Sequence, residues 1–383
     1  MIIRNANVLT EKDVFERVDV RIENGKIAEI GTVTAQDATE IDAGGKYLIP
    51  GLIESHFHGA LDLDSSEGTA EVFAAFSKYM ATQGITTFIP ALISSNDEVT
   101  ERYIKAGTAF MASETPYSVM GGLYLEGPFI SLQYKGAHDP AVLQNPDLDK
   151  FKRWYDLADG NIRKMVVAPE LDGAEELIRW ASAHGVAVEI GHTAANYEQA
   201  KQAIDWGVTV TTHAFNAMPP LHHREPSVLG AVLTDDCVTC ELICDLGHVS
   251  EAVIKVVYAC KGDRLVNIIS DSCTAAGLGD GEYLHPDGRK MIVADGLARL
   301  ENGTIMGSAS SVLDGVRNLV KMGIPLSSAV RMGSTNPART TGLSDRGSIT
   351  LGKRADLVLL NEDITVDTTI VYGKIVYENA TNM

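Results

Sequence analysis

No apolar run in the 383 residues approaches the roughly 20 that a membrane-spanning helix needs, so no membrane partner is expected. Basic residues are scarce as well: 32 Lys and Arg stand against 51 Asp and Glu, a formal net charge of −19. That balance argues against a nucleic-acid or anionic-membrane partner, since such surfaces are gripped by Lys and Arg footprints, yet it leaves room for a small anion held locally. Cysteines number only five, an odd count that reads as reduced thiols rather than a disulfide framework. Cys237-Val-Thr-Cys240 has the spacing of a metal or redox pair, but it sits in a strand-like run where residues three apart face opposite ways. Core thiols are the expectation there. The opening Met-Ile-Ile-Arg-Asn-Ala-Asn lacks the basic head and apolar stretch of a signal peptide, so the expected setting is cytoplasmic.

What the chain does have is apolar content, 45%, enough for a large core: two or three domains, or one barrel with a small companion. The first fifty residues alternate as short strands, with a hairpin over 18–30 turning at Asn24-Gly25, and the last forty repeat the style over 355–360 and 369–377. Neither end has strands enough for an independent sheet. The expectation is one small β-sandwich domain built from 1–50 plus 346–383, with everything between inserted.

The interior, 51–345, alternates strand and helix. Apolar β-rich runs fall at 51–55, 86–92, 121–125, 164–168, 187–191, 208–212, 239–244 and 265–270, and helical patterns at 70–83, 97–112, 173–184, 197–206 and 250–261 separate several of them. Eight units fit an α/β fold of the (β/α)8 TIM-type barrel, whose buried parallel strands read as near-continuous apolar runs; a doubly wound open sheet is the alternative. Three Asx-Gly turns, at Asp287, Asp295 and Asn302, mark a small β-insertion near 280–307.

The strand ends favour the barrel. His56 and His58 come after the first run, Glu126 after the third, His192 after the fifth, His213 after the sixth, His248 after the seventh and Asp271 after the eighth. Each alone reads as a loop cap, and an isolated His-x-His as two surface histidines. Seven such residues at one relative position in six units point to the C-terminal mouth of a barrel, where its chemistry gathers. His184 and His285 read as ordinary surface residues; His222 and His223 stay undecided. Glu126, His192 and His213 form a three-ligand set with a position open for water, suited to zinc, iron, manganese or cobalt. Asp271 is placed to carry the proton from water to a leaving amine. If His56 and His58 also bind, Glu126 could bridge a second divalent ion.

The frame from Asp42 through Pro50-Gly-Leu-Ile-Glu-Ser-His-Phe-His-Gly59, with the closing Gly347-Ser-Ile-Thr-Leu-Gly-Lys-Arg-Ala-Asp356, resembles the amidohydrolase superfamily. Leu125-Glu-Gly-Pro-Phe-Ile-Ser131, Lys135-Gly-Ala-His138, Gly191-His-Thr193, Thr212-His-Ala-Phe-Asn-Ala-Met-Pro219 and Arg224-Glu-Pro226 narrow the resemblance to its N-acetylglucosamine-6-phosphate deacetylase family. The resemblance implies metal ligands at Glu126, His192 and His213, a catalytic carboxylate at Asp271, and substrate contacts at Ala137, His138, Asn216, Ala217, Arg224, His248 and Met306. It implies one or two divalent metal ions per subunit, a phosphorylated amino-sugar substrate and a homodimer. His138 is open between a sugar hydroxyl and the scissile carbonyl. Two positions depart from the family pattern: Asp245-Leu-Gly-His248, where Asp-Gly-x-His is usual, and Ser227, where glycine is common. The competing expectations are another amidohydrolase, such as a deaminase or cyclic-amide hydrolase, and a scaffold that kept the fold without catalysis.

Overall fold

The computed structural model describes residues 1–36, 39–284 and 288–379. Eight strands form the central barrel: Leu52–Phe57, Ile85–Ile93, Leu123–Glu126, Ile162–Val167, Ala187–Ile190, Val210–Thr211, Thr239–Ile243 and Val266–Ile269. Parallel ladders join each to the next, from Leu52 opposite Ile85 to Ile243 opposite Ile269. The eighth and first strands carry no ladder between them but meet through Asp271 N–H donating to His56 O at 2.9 Å. The ring is therefore nearly closed, and the open-sheet alternative falls away.

The strands read as apolar because helices cover them outside. The helix Ala70–Thr82 begins where Thr69 Oγ1 accepts from Val72 N–H, and it turns Val72, Phe73, Phe76 and Met80 inward. Asn96 caps Asp97–Met111 in the same way, with Asp97 and Glu98 at the positive end of the helix dipole. Further helices at Leu148–Leu157, Ala174–Ala183, Tyr197–Trp206, Ser227–Thr234 and Glu251–Lys261 continue the alternation, and three more over 312–340 close the ring. Their buried faces join the strands in one large core that includes Phe57, Phe88, Leu123, Met165, Val188 and Ile268.

The two ends of the chain meet in one eight-stranded sheet. Tyr47–Pro50 lies between Ile2–Leu9, which it pairs in parallel, and Leu357–Leu360, which it pairs antiparallel. The sheet folds back on itself, since Ile27 N–H donates to Lys353 O at 2.9 Å and Ala355 N–H to Gly25 O at 2.9 Å. Val20, Ile22, Ile27, Leu48, Leu357 and Ile370 fill the space between its halves. Gly51 alone connects this sheet to the first barrel strand. A Cβ there would stand 2.1 Å from Thr86 Oγ1, so no larger residue fits the passage.

The insertion is an antiparallel meander of Gly281–Leu284, Lys290–Ala294, Leu297–Leu300 and Ile305–Ser308. Its last strand is tied to the barrel where Ser308 N–H donates to Asp271 O at 3.0 Å, which holds Ile305, Met306 and Gly307 over the barrel mouth. The expected turn at Asp287 and the surface placement of His285 lie outside the described residues.

Candidate metal centre

Six strand-end side chains converge at the C-terminal mouth. Glu126 Oε1 lies 3.0 Å from His213 Nε2, 3.3 Å from His192 Nε2 and 3.4 Å from His56 Nε2, while its Oε2 lies 3.0 Å from His58 Nε2. Asp271 Oδ1 is 3.3 Å from His58 Nε2 and 3.6 Å from His56 Nε2. The ligand atoms fall into two sets of three, Glu126 with His192 and His213, and His56 with His58 and Asp271, each set within 4.8 Å.

The backbone pays a conformational cost to aim them. His192, His213 and Asp271 take φ of 45°, 24° and 47°, the left-handed region that non-glycine residues seldom occupy. Such strain concentrates at functional sites. Gly127, with φ of 107°, lets the chain leave the third strand against Ser94; a Cβ would stand 2.0 Å from Ser94 Oγ.

Several rings are fixed from behind. His192 Nδ1 donates to Tyr134 O at 2.8 Å and His56 Nδ1 to Glu241 Oε2 at 3.0 Å, so both turn Nε2 toward the centre. The buried Nε2 of His56 has no hydrogen-bond partner. His138 has the opposite tautomer: its Nδ1 accepts from Ser94 N–H at 3.2 Å, leaving Nε2–H toward the cleft.

The electrostatics demand positive charge. Burial disfavours an imidazolium at His58, yet the carboxylates of Glu126 and Asp271 overcome it and raise the pKa to about 10. His56 and His213 are raised against burial in the same way. Burial works against ionised carboxylates too, but the histidines hold Glu126 and Asp271 well below the usual carboxylate range. Two ionised carboxylates facing four imidazoles, in nitrogen and oxygen sets of three, is a donor arrangement that fits divalent cations of the zinc, iron, manganese or cobalt type. His138 differs again: burial first, then His192, pushes it down to about 4, so its ring is neutral at neutral pH.

A cleft of about 500 Å³ opens over the centre, and Ala137, His138, Asn216, Ala217, His248 and Met306 line it together with His58, Glu126, His192, His213 and Asp271. Asp245 Oδ2 holds His248 Nδ1 at 2.6 Å, so the unusual Asp-Leu-Gly-His still fixes the ring. His56 lies fully buried beneath the floor. Arg224 is the one expected substrate contact that does not line the cleft of its own chain. It is exposed on the 220–225 loop, outside the cleft lining, with Nη1 2.7 Å from His223 Nε2. Ser227 just beyond takes φ of 58°, the conformation that suits the glycine common there.

Sequence reasoning missed two features. Arg289, from the insertion, is the one Lys or Arg in the cleft lining among the described residues. Below the centre, Lys164, Glu189 and Glu241 form a fully enclosed ionic layer inside the barrel. Charges inside three otherwise apolar runs, Arg163 and Lys164 in Ile-Arg-Lys-Met-Val-Val, Glu189 in Ala-Val-Glu-Ile and Glu241 in Thr-Cys-Glu-Leu-Ile, were the available signal.

Barrel and mouth together define a hydrolase-type (β/α)8 protein with a histidine–carboxylate centre. The chain belongs to the amidohydrolase family, whose model matches residues 47–376. Within that family it is 32% identical to an N-acetylglucosamine-6-phosphate deacetylase of Lysinibacillus sphaericus, over 98% of this chain and 97% of the relative. It is equally 32% identical to an N-acetylgalactosamine-6-phosphate deacetylase of Escherichia coli O157:H7, covering 98% of each. A variant of the Mycobacterium smegmatis N-acetyl-D-glucosamine-6-phosphate deacetylase, solved in complex with N-acetyl-D-glucosamine-6-phosphate, superposes with a TM-score of 0.90 at 32% identity, covering 98% of this chain and 99% of that one.

Proposed function

We propose that the protein hydrolyses N-acetylglucosamine 6-phosphate to glucosamine 6-phosphate and acetate, with a divalent metal as cofactor. The observation that carries this reading is the joint position of Glu126, which faces His192 and His213 with one oxygen and His58 with the other, on the floor of a cleft large enough for a sugar phosphate. The deacetylase names of full-length relatives support the substrate class.

Glu126, His192 and His213 would hold the first cation, and His56, His58 and Asp271 are the candidates for a second. A cation there supplies a Lewis acid that lowers the pKa of water and polarises the amide carbonyl. Asp271, ionised and beside the ligands, accepts the proton of the attacking water and passes it to the leaving nitrogen. His138, neutral with its proton on Nε2, donates a hydrogen bond to the developing carbonyl oxyanion, so of the two partners open to it from sequence the carbonyl is favoured. Arg289 and His248 at the wall provide the cationic and donor side for the phosphate, with the backbone around Asn216, Ala217 and Met306 shaping the sugar pocket.

The relative named for the galactosamine isomer gives the second reading, the 4-epimer as substrate. Acetate release is to be measured with N-acetylglucosamine, its 6-phosphate and N-acetylgalactosamine 6-phosphate. Preference for the phosphorylated glucosamine derivative is expected; equal rates with and without phosphate would refute the reading and favour another amidohydrolase activity. Five unpaired cysteines support the cytoplasmic setting, and the exposed 220–225 loop supports a homodimer in which Arg224 serves contacts beyond its own cleft. Sedimentation at working concentration tests the dimer: a monomer excludes it.

A further inference from the structure

The ionic layer beneath the mouth reaches the metal centre through His56. Lys164 Nζ donates to Ser55 O at 2.8 Å, lies 3.0 Å from Glu189 Oε1 and bonds Glu241 Oε1. Glu241 uses its other oxygen, Oε2, to accept from His56 Nδ1 at 3.0 Å, with Thr212 Oγ1 at 3.3 Å beside it. Tyr124 closes the ring: its hydroxyl donates to Glu189 Oε2 at 2.9 Å, its face lies 4.1 Å under Lys164 Nζ, and the His56 ring meets it edge-on at 4.8 Å. Lys164 is 2% exposed; the other five, Tyr124, Glu189, Glu241, Thr212 and His56, are wholly buried.

Burying two carboxylates under a single ammonium is expensive, and apolar residues would fill a barrel more stably. The layer therefore calls for a role other than packing, and His56 supplies it. With Nδ1–H given to Glu241, the neutral ring, the form that binds a cation, presents Nε2 as its lone pair, and that atom has no hydrogen-bond partner, 3.4 Å from Glu126 Oε1 and 3.6 Å from Asp271 Oδ1. Without Glu241 the ring is free to carry its proton on Nε2, which a cation cannot share. Lys164 in turn keeps Glu241 charged and stationary.

We propose that Glu241, held by Lys164, is the positioning residue that makes the His56–His58–Asp271 half of the centre able to take a second divalent cation. This rests on the metal-dependent deacetylase reading. Glu241 touches neither cation nor substrate and acts through the tautomer and angle of His56, as outer-shell carboxylates behind metal-bound histidines do.

The test is cobalt(II) titration of the metal-free full-length protein, with the visible absorption of the bound ion and the metal content after dialysis as readouts. The parent is expected to take two cations per subunit. Glu241→Gln should keep the one on Glu126, His192 and His213, which doubles as a check on folding, and lose affinity for the other by about 10- to 100-fold. An unchanged second affinity in Glu241→Gln, or a parent that saturates at one cation, overturns the proposal. Should the variant not fold, ring-nitrogen NMR of the metal-free parent, at a pH where the His56 ring is neutral, decides, with the His56 signals assigned by their loss in His56→Ala. An Nδ1–H tautomer supports the relay, and an Nε2–H tautomer overturns it. A parent that binds two cations yet releases no acetate from any amino-sugar phosphate sinks the deacetylase reading and leaves the relay standing.

Discussion

The Nε2 atoms of His192 and His213 stand 2.9 Å apart, inside the range of a hydrogen bond. His192 gives its Nδ1 proton to Tyr134 O, and both Nε2 atoms converge beside Glu126 Oε1. Two imidazole nitrogens converging on one carboxylate oxygen form a donor set of the kind a divalent cation takes. Prolonged chelation is expected to lower acetate release by about two orders of magnitude or more, with recovery on adding zinc or cobalt; His213→Ala should lose the tight cation outright. Full turnover by protein shown to be metal-free would remove the metal from the mechanism.

Asp271→Asn keeps the shape of the side chain and removes its basicity. The expected loss in kcat is about 10²- to 10⁴-fold, the usual worth of a positioned general base, while the cation on Glu126, His192 and His213 stays bound. Turnover within a factor of a few of the parent would take the proton-carrying role from Asp271.

Much of this centre was legible because a barrel imposes one rule on eight strands: the residues at the C-terminal end of each strand face the mouth. Glu126, His192, His213 and Asp271 obey it, and so does the ring of His248. No periodicity reports which way the polar loop carrying Arg224 points, so its place outside its own cleft was not legible. Arg289 escaped because it lies in an insertion outside the eight-fold pattern, between turns that announce strands but no function. Lys164, Glu189 and Glu241 were hidden differently: each is a charge within a mostly apolar run, and only the register of neighbouring strands, with Val166 opposite Glu189, turns three separate anomalies into a layer.

Arg289 should matter to binding rather than chemistry. A guanidinium is the natural partner of a phosphate dianion, and hydrogen bonds to charged groups are worth about 1.5–3 kcal/mol each. Arg289→Ala is expected to raise KM for the 6-phosphate by about 10-fold or more with kcat nearly kept, and to leave activity on the unphosphorylated sugar unchanged. Equal losses on both substrates would assign Arg289 to holding the insertion in place instead.

The five thiols divide by burial in a way that labelling can read. Cys237 and Cys260 are exposed, whereas Cys240, Cys244 and Cys273 are buried. Of the CxxC pair only Cys240 is the core thiol expected; Cys237 lies exposed in the turn before the strand Thr239–Ile243, and a pair split between solvent and core disfavours a shared metal. Burial pushes the Cys240 thiol up to about 12 and, together with nearby Asp271, the Cys273 thiol up to about 11. At pH 8 the thiolate, the reactive form, is then about a thousandth of Cys273 and less of Cys240. A disulfide reagent should modify two cysteines quickly in the native protein and all five only in denaturant. Cys273 is the informative one, since it also lines the cleft at 5% exposure. If a third thiol reacts in native protein and substrate protects it, that thiol is Cys273, and the meander above it opens further in solution than its tie to Asp271 implies.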